Sequence, residues 1–425
     1  MSKRYAIGAL LVGAGLLSLV LTTMNKSVNP SSQTVSAAEI LGSREYKCIS
    51  YGAFREKSRS VVPSVAELKE DMQILHRLGY RVIRTYHTQK FEDTRNLLKA
   101  IEELKQENQG FEMFVMLGAW IECADAWTDQ PNHSGQNLAL NSAEVEMSIE
   151  LANSYPEIVK IIAVGNEAMV HWASAYFVKP EIILEWVRYL KTRRIEGELP
   201  ESVWITSSDN FASWGGGGEE YHTRALNDLI KEVDYVSLHT YPFHDTHYNP
   251  DFWYSDTVEG SNDGWPKIIR AMERAVSYAR TQYYKTARYV HSVVPDKPLH
   301  IGESGWASIS SGYYGNNGSR AADEIKQKLF YDGMQEWTGD SAVSLFFFEA
   351  FDEPWKDPVD EKGSENHFGL IDIEGRAKYV LWDKVADGTL DGLKRNSREI
   401  RMSYAGSLDS LRKDVLAPEL KLQVN

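Results

Sequence analysis

IIAVGNEAM, residues 161–169, is an apolar run that closes on Gly165, Asn166 and Glu167. Uninterrupted apolar residues suit a strand buried on both faces, as in a parallel sheet. A carboxylate just past such a run falls where a βα barrel opens its carboxyl-terminal rim. PLHIGESGWA, residues 298–307, repeats the design with Gly302 and Glu303. Two strand-end glutamates, each close behind a glycine that lets the backbone approach a ligand, point to one site with two acid/base groups.

Outward from these stretches the chain alternates strand-like and helix-like segments. The strands are expected at 47–54, 80–88, 111–121, 159–166, 202–211, 234–243, 299–303 and 342–351. Between them lie helical patterns. The first is capped by Ser64, with Val65, Leu68, Met72, Leu75 and Leu78 at helical spacing, and the fourth opens on Pro180. A last helix is expected from about Ala377. The fold class is therefore α/β: a single (β/α)8 TIM barrel over residues 39–394, with its site at the carboxyl ends of the strands. An open doubly wound sheet is the alternative, but no G-x-G-x-x-G opens a helix. Residues 395–425 read as a tail or helix packed on the barrel.

The formal net charge of −14 argues against nucleic acid or an anionic membrane surface as the main partner, whereas a neutral polysaccharide is compatible with it. Twelve Trp and 22 Tyr can fill a core or pave a groove for flat, uncharged sugar rings. Lys3 and Arg4 precede an apolar run from Tyr5 to Met24 and a polar spacer up to Ala38. This places residues 1–38 outside the fold as an export signal, either a cleaved signal peptide, with Val35-Ser36-Ala37 a distant cleavage site, or an amino-terminal membrane anchor. The folded part is then periplasmic or extracellular, and a monomer is expected. Cys48 opens the first strand and Cys123 follows the third, at opposite barrel ends, so two free, buried thiols are expected. No His/Cys cluster has ligand spacing, and neither metal nor cofactor is expected.

A barrel gathers Tyr51, Arg84, Tyr86, Trp120, Asn166, Glu167, Tyr241, Glu303, Trp306, Glu349 and Glu353 at one rim. Carboxylates, aromatics, an amide and a guanidinium are the groups that glycosidic-bond cleavage needs. One carboxylic acid protonates the leaving oxygen, one carboxylate attacks or stabilises the oxocarbenium-like carbon, and ring faces hold the sugar. His87, His239, His244 and His247 near the rim read as polar loop histidines, and Gly215–Gly218 as a flexible loop without the Lys-Ser/Thr of a phosphate cradle.

VGNEAM and HIGESGWAS, together with SYGAF, HTYPF, FEAFDEPWK and ENHFGLID, resemble glycoside hydrolase family 17, in particular its bacterial branch, over about 49–371. The resemblance implies a retaining enzyme of β-1,3-glucan on a βα barrel. Glu167 matches the general acid/base and Asn166 the partner of the sugar 2-hydroxyl. Glu303 matches the nucleophile and Tyr241 the group that holds it. Glu353, Lys356 and Glu365 match charged residues lining the site, and Trp306 is expected to stack on a neighbouring glucose. Trp355 joins the sugar-binding set, with core packing as its alternative. Where the family has RTYG or RIYG, this chain has RTYH, so His87 is expected to narrow a subsite.

Hydrolysis and transfer to a sugar acceptor stay open, as do endo and exo action; the segment from Phe243 to Trp265 is long enough to block one end of a groove. A non-catalytic glycan-binding barrel would not need both acids, and a related barrel enzyme of β-1,4-linked glucan or mannan shares the glutamate pair. Only the wider motif set argues for β-1,3 linkage.

Overall fold

A computed structural model describes residues 35–254, 264–413 and 415–419. Eight parallel strands form a closed barrel: β1 (Lys47–Ser50), β2 (Tyr80–Arg84), β3 (Phe114–Ala119), β4 (Val159–Asn166), β5 (Trp204–Asn210), β6 (Val236–His239), β7 (Leu299–Gly305) and β8 (Leu345–Phe348). Each strand pairs with its sequence neighbours, and β8 closes on β1 through Cys48 opposite Phe346. The expected barrel is thus present. Most strands are shorter than their apolar runs, because the ladder ends where the chain leaves for the rim and residues such as Tyr51, Tyr86 and Tyr241 belong to the loops.

The alternation along each strand divides the core in two. Cys48, Val82, Phe114, Met116, Ile161, Ala163 and Phe346 pack together inside the barrel. Their chain neighbours Ile49, Ile83, Val115, Ile162 and Phe347 face outward into the layer beneath the helices. That two-sided burial is why the strands read as continuous apolar runs.

The helices that follow the strands in turn are α1 (Val65–Arg77), α2 (Asp93–Glu107), α3 (Leu138–Ser154), α4 (Pro180–Ile195), α5 (Arg224–Glu232), α6 (Gly264–Val293), α7 (Glu324–Asp340) and the short α8 (Trp382–Ala386), with further short ones at Pro242–Tyr248 and Leu408–Arg412. Ser64 and Glu67 form a reciprocal capping box that starts α1. Leu68, Met72 and Leu75 are buried on its inner face, and so is Asp71. Asp71 accepts hydrogen bonds from Tyr51 (2.9 Å), Arg55 (2.8 Å) and Arg395 (3.0 Å), so the chain after α8 is tied back to the start of the barrel.

The expected boundary at residue 38 is corrected. Ser36 and Glu39 make a second capping box over the single turn Ala37–Ile40. Ala37, Ile40 and Leu41 pack against the inward-facing strand residues and plug the barrel floor. The apolar run at 5–24 lies outside the described residues, among which no helix is long and apolar enough to cross a membrane. Cys48 and Cys123 are both buried free thiols.

Candidate active site

β4 and β7 deliver the two glutamates to one cavity of about 1110 Å³ at the carboxyl ends of the strands. Gly165 turns the end of β4 with φ 81°, and Glu167 itself adopts the left-handed region at φ 44°. That conformation costs a side-chain-bearing residue about 1–3 kcal/mol, a strain typical of functional positions. The Glu167 N–H is fixed by the Ser208 carbonyl at 3.0 Å. Gly302 serves a different purpose from the expected close approach to ligand: a Cβ there would lie 2.2 Å from Ser237 Oγ and 2.4 Å from Ser208 Oγ, inside the barrel wall.

Glu303 is almost fully buried, with 5% of its surface exposed. Arg84 Nη1 donates to its Oε1, and the Tyr241 hydroxyl donates to Oε2 at 2.7 Å. Burial alone would raise the carboxyl, but His239, Arg84 and Tyr241 together hold it well below the usual carboxylate range. Arg84 also donates to the Gly302 carbonyl at 3.1 Å and to Asn166 Oδ1 at 2.6 Å, which leaves the Asn166 NH2 as the remaining donor of that amide. Asn166 lines the cavity, whereas Arg84 does not and acts from behind through Glu303 and Asn166.

His239, at the end of β6, joins the two carboxylates. Its Nδ1 stands 3.2 Å from Glu167 Oε1 and 3.5 Å from Glu303 Oε2. Its Nε2 meets Ser208 Oγ at 2.7 Å, and that hydroxyl meets Ser237 Oγ at 2.8 Å. Glu303 is ionised and only accepts, so its contact draws on a hydrogen at Nδ1, beside which Glu167 Oε1 also lies. The reading of His239 as a loop histidine is therefore wrong: it is wholly buried on a barrel strand. Behind Glu167, Asp209 accepts from the Met169 N–H at 2.6 Å, and burial, with Glu167 adding to it, pushes its carboxyl up to about 7. Nothing in the spacing of HTYPF or SSDN marks either residue; the signal is that each lies within the last two residues of a strand.

Aromatic rings line the cavity, among them Tyr86, Trp120, Trp127, Trp172, Tyr241, Trp355 and Phe368. Tyr51 offers only its ring, because its hydroxyl is given to Asp71. Trp120 and Trp127 lie nearly parallel, 21° apart, and both indole N–H groups donate to Glu122 Oε2 at 3.1 and 2.9 Å. Trp127 and Trp172 are mostly exposed, and neither belonged to the expected set because aromatics in long loops carry no periodicity. His87 also lines the cavity and stacks on Trp120 at 4.9 Å.

Trp306 departs from expectation. It is fully buried, donates to the Ala321 carbonyl at 2.8 Å and packs on Phe243, Trp253 and Phe330 beneath the rim. The GESGW turn points it into the barrel wall, so no sugar reaches it.

In the turn after β8, Lys356 sits 2.9 Å from Glu353 and 3.3 Å from Glu349, with its ammonium 4.0 Å from the centre of the Phe348 ring. Glu353, Trp355 and Lys356 line the cavity, and the Trp355 indole donates to Glu353 at 2.9 Å. Glu349 lies beneath them and is fully buried. Burial first, and then the nearby Glu353 charge, raise the Glu349 carboxyl far above its ordinary value, while Lys356 opposes both and holds Glu353 low. Glu365 also lines the cavity, close enough to feel the Lys356 charge, and meets His244 Nε2 at 3.3 Å. Among the described residues no cluster of His, Cys, Asp and Glu is arranged to hold a metal ion.

A closed βα barrel whose strands four and seven aim two carboxylates into an aromatic-lined cleft defines the class as a glycosidase. Comparison with known proteins narrows this: the chain belongs to the BtgE/BtgC glycoside hydrolase domain family, whose model matches residues 48–369. It is 51% identical to an endo-laminarinase from Formosa, with a TM-score of 0.90 over 92% of this chain and 99% of that one. It is 22% identical over 71% of its length to the glucan 1,3-beta-glucosidase of Schizosaccharomyces pombe, of which it covers 76%. The Rhizomucor miehei beta-1,3-glucanosyltransferase of glycoside hydrolase family 17 shares the fold at a TM-score of 0.55 and 19% identity, over 80% of this chain and 97% of that one.

Proposed function

We propose that this chain is a retaining glycoside hydrolase of β-1,3-glucan that works by double displacement, with Glu303 as nucleophile and Glu167 as acid/base. One observation carries the mechanism: a single nitrogen, His239 Nδ1, touches both carboxylates at 3.2 and 3.5 Å. The two oxygens are no farther apart than those contacts laid end to end. That bound falls at the lower edge of the ~6.5–9.5 Å of inverting pairs and includes the ~5–5.5 Å of retaining ones. The activities named for the Formosa and Schizosaccharomyces pombe proteins support the linkage.

Glu303, kept ionised by Arg84 and Tyr241, attacks the anomeric carbon while Glu167 protonates the departing oxygen, and Asn166 offers its NH2 to the 2-hydroxyl. A covalent glycosyl-enzyme results. Glu167, now a carboxylate, takes the proton of the incoming water, and the β-configuration is restored. The decisive test is Glu303→Gln on β-1,3-linked oligosaccharides. Turnover falls at least about 10³-fold while binding persists, and NMR of the wild-type reaction shows the β-anomer first. An initial α-anomer, or unchanged turnover in Glu303→Gln, refutes the assignment.

A sugar hydroxyl taking the place of water is favoured by Trp172 and Phe211 on the Glu167 side of the cavity, where they can seat an acceptor. Products longer than the substrate would establish transfer. The apolar run at 5–24 supports export, which cell fractionation tests.

A further inference from the structure

Far from the two glutamates, the cavity ends among the loops that follow β1, β2 and β8. Arg59 lies there with its guanidinium 4.1 Å from the centre of the Trp355 ring and 4.5 Å from that of Phe91. Two aromatic rings hold the cation, yet no carboxylate lies within ion-pairing distance of it among the described residues. A guanidinium stacked in this way keeps its N–H donors at its edge. Asp93, near enough to Arg59 for the two charges to be felt, meets backbone N–H groups at the start of α2 but keeps a buried Oδ1 without a hydrogen-bond partner. Arg59, Asp93 and Tyr86 all line the cavity.

Leaving a buried acceptor unmet is costly, so an orphaned carboxyl oxygen in a ligand cavity, beside a stacked guanidinium without an ion-pair partner, is a group awaiting a ligand. The chemistry selects among ligands. A fork of donors beside a carboxyl group matches two neighbouring hydroxyls, such as the 4- and 6-hydroxyls that β-1,3 linkage leaves free, each able to accept from the arginine and donate to the acid. Burial pushes the Asp93 carboxyl up to about 7, with backbone N–H groups and the Arg59 charge working against it.

The direction of the chain follows from the reading of Glu167 and Glu303 under Proposed function, on which this inference rests. Glu167, from β4, protonates the leaving oxygen, so the departing part lies toward Trp172 and Phe211. The remainder of the chain then extends the other way, toward β1, β2 and β8. We propose that Arg59 and Asp93 form a donor-side subsite, remote from the cleaved bond, that reads the neighbouring 4- and 6-hydroxyls of a glucosyl unit of the bound chain.

Arg59→Ala, Arg59→Lys, Asp93→Ala and Asp93→Asn are compared on β-1,3-linked glucose oligosaccharides of three and six units, each labelled with ¹⁸O at the reducing end. In the two alanine variants the ratio of kcat/KM on the hexasaccharide to that on the trisaccharide falls about tenfold to a hundredfold. The loss appears in KM, and cleavage moves so that the donor fragment becomes shorter. Asp93→Asn, which still accepts, keeps most of the ratio; Arg59→Lys, which has no planar fork, does not. Equal losses on both substrates, an unchanged ratio, or a longer donor fragment overturn the proposal. Calorimetry with the hexasaccharide on Glu303→Gln and on Glu303→Gln/Arg59→Ala reads the subsite through binding alone: a tenfold weaker affinity in the double variant supports it, and equal affinities overturn it. A wild type that turns over neither oligosaccharide would count against the proposed reaction, while this affinity difference would still decide the subsite.

Discussion

Arg84→Met removes the cation from behind the nucleophile and keeps most of the side-chain volume. In the native site Arg84 is 1% exposed and holds Glu303, the Gly302 carbonyl and Asn166 at once. Breaking a buried ion pair from one side costs about 3–5 kcal/mol, because the remaining charge is left uncompensated. The carboxyl then follows its burial. Of the groups that hold Glu303 low, His239 and Tyr241 stay and Arg84 goes, so the carboxyl moves up from its depressed position. Each unit of that rise corresponds to about 1.4 kcal/mol lost from the ionised form. The acidic limb of the kcat/KM profile, set in the wild type by protonation of Glu303 below the usual carboxylate range, therefore shifts toward higher pH. Maximal kcat falls about 10²-fold through misplacement of the nucleophile. Stability follows the same sign. Glu303 is depressed in the folded state, so its contribution is present above the unfolded carboxylate value and is lost as pH falls through the folded one. The difference in Tm between wild type and variant is thus largest above about pH 5 and narrows in acid. The assays are a pH series of initial rates on a β-1,3-linked oligosaccharide and thermal melts over the same range. An acidic limb that does not move, with rates lower by one factor at every pH, would show that Arg84 is only scaffolding and would refute this account of Glu303.

Gly302→Ala places a methyl 2.2 Å from Ser237 Oγ and 2.4 Å from Ser208 Oγ. It is expected to cost about 1–3 kcal/mol and to lower kcat by displacing the serine behind His239; melts and rates near the wild type would contradict this. Trp306→Ala opens a cavity in the barrel wall and should destabilise by about 3–5 kcal/mol, with KM for oligosaccharides unchanged. A rise in KM without a drop in Tm would restore its expected sugar-stacking role. Glu349→Gln tests the buried acid under Lys356: its carboxyl is raised in the folded state, so the wild type loses stability as pH climbs above the unfolded value near 4.5. The variant should match the wild type in acid and gain on it toward neutral pH, and a gain that shrinks with rising pH would oppose the reading.

What the chain determines by itself is local. Apolar runs broken by helical spacing set out eight βα units, since burial on both faces leaves its mark along a strand without reference to any partner. Asn166-Glu167 and Glu303 are legible because each follows directly on such a run. What only the tertiary structure decides is which side chains meet across the barrel. His239 looks like any rim histidine until β6 sets it between the acids of β4 and β7. Trp306 looks like a sugar platform until the turn after β7 buries it. The glycine before Glu303 answers to serines on β5 and β6 rather than to a ligand. Contacts of this kind join residues remote along the chain, and closure of the barrel, not periodicity, brings them into register.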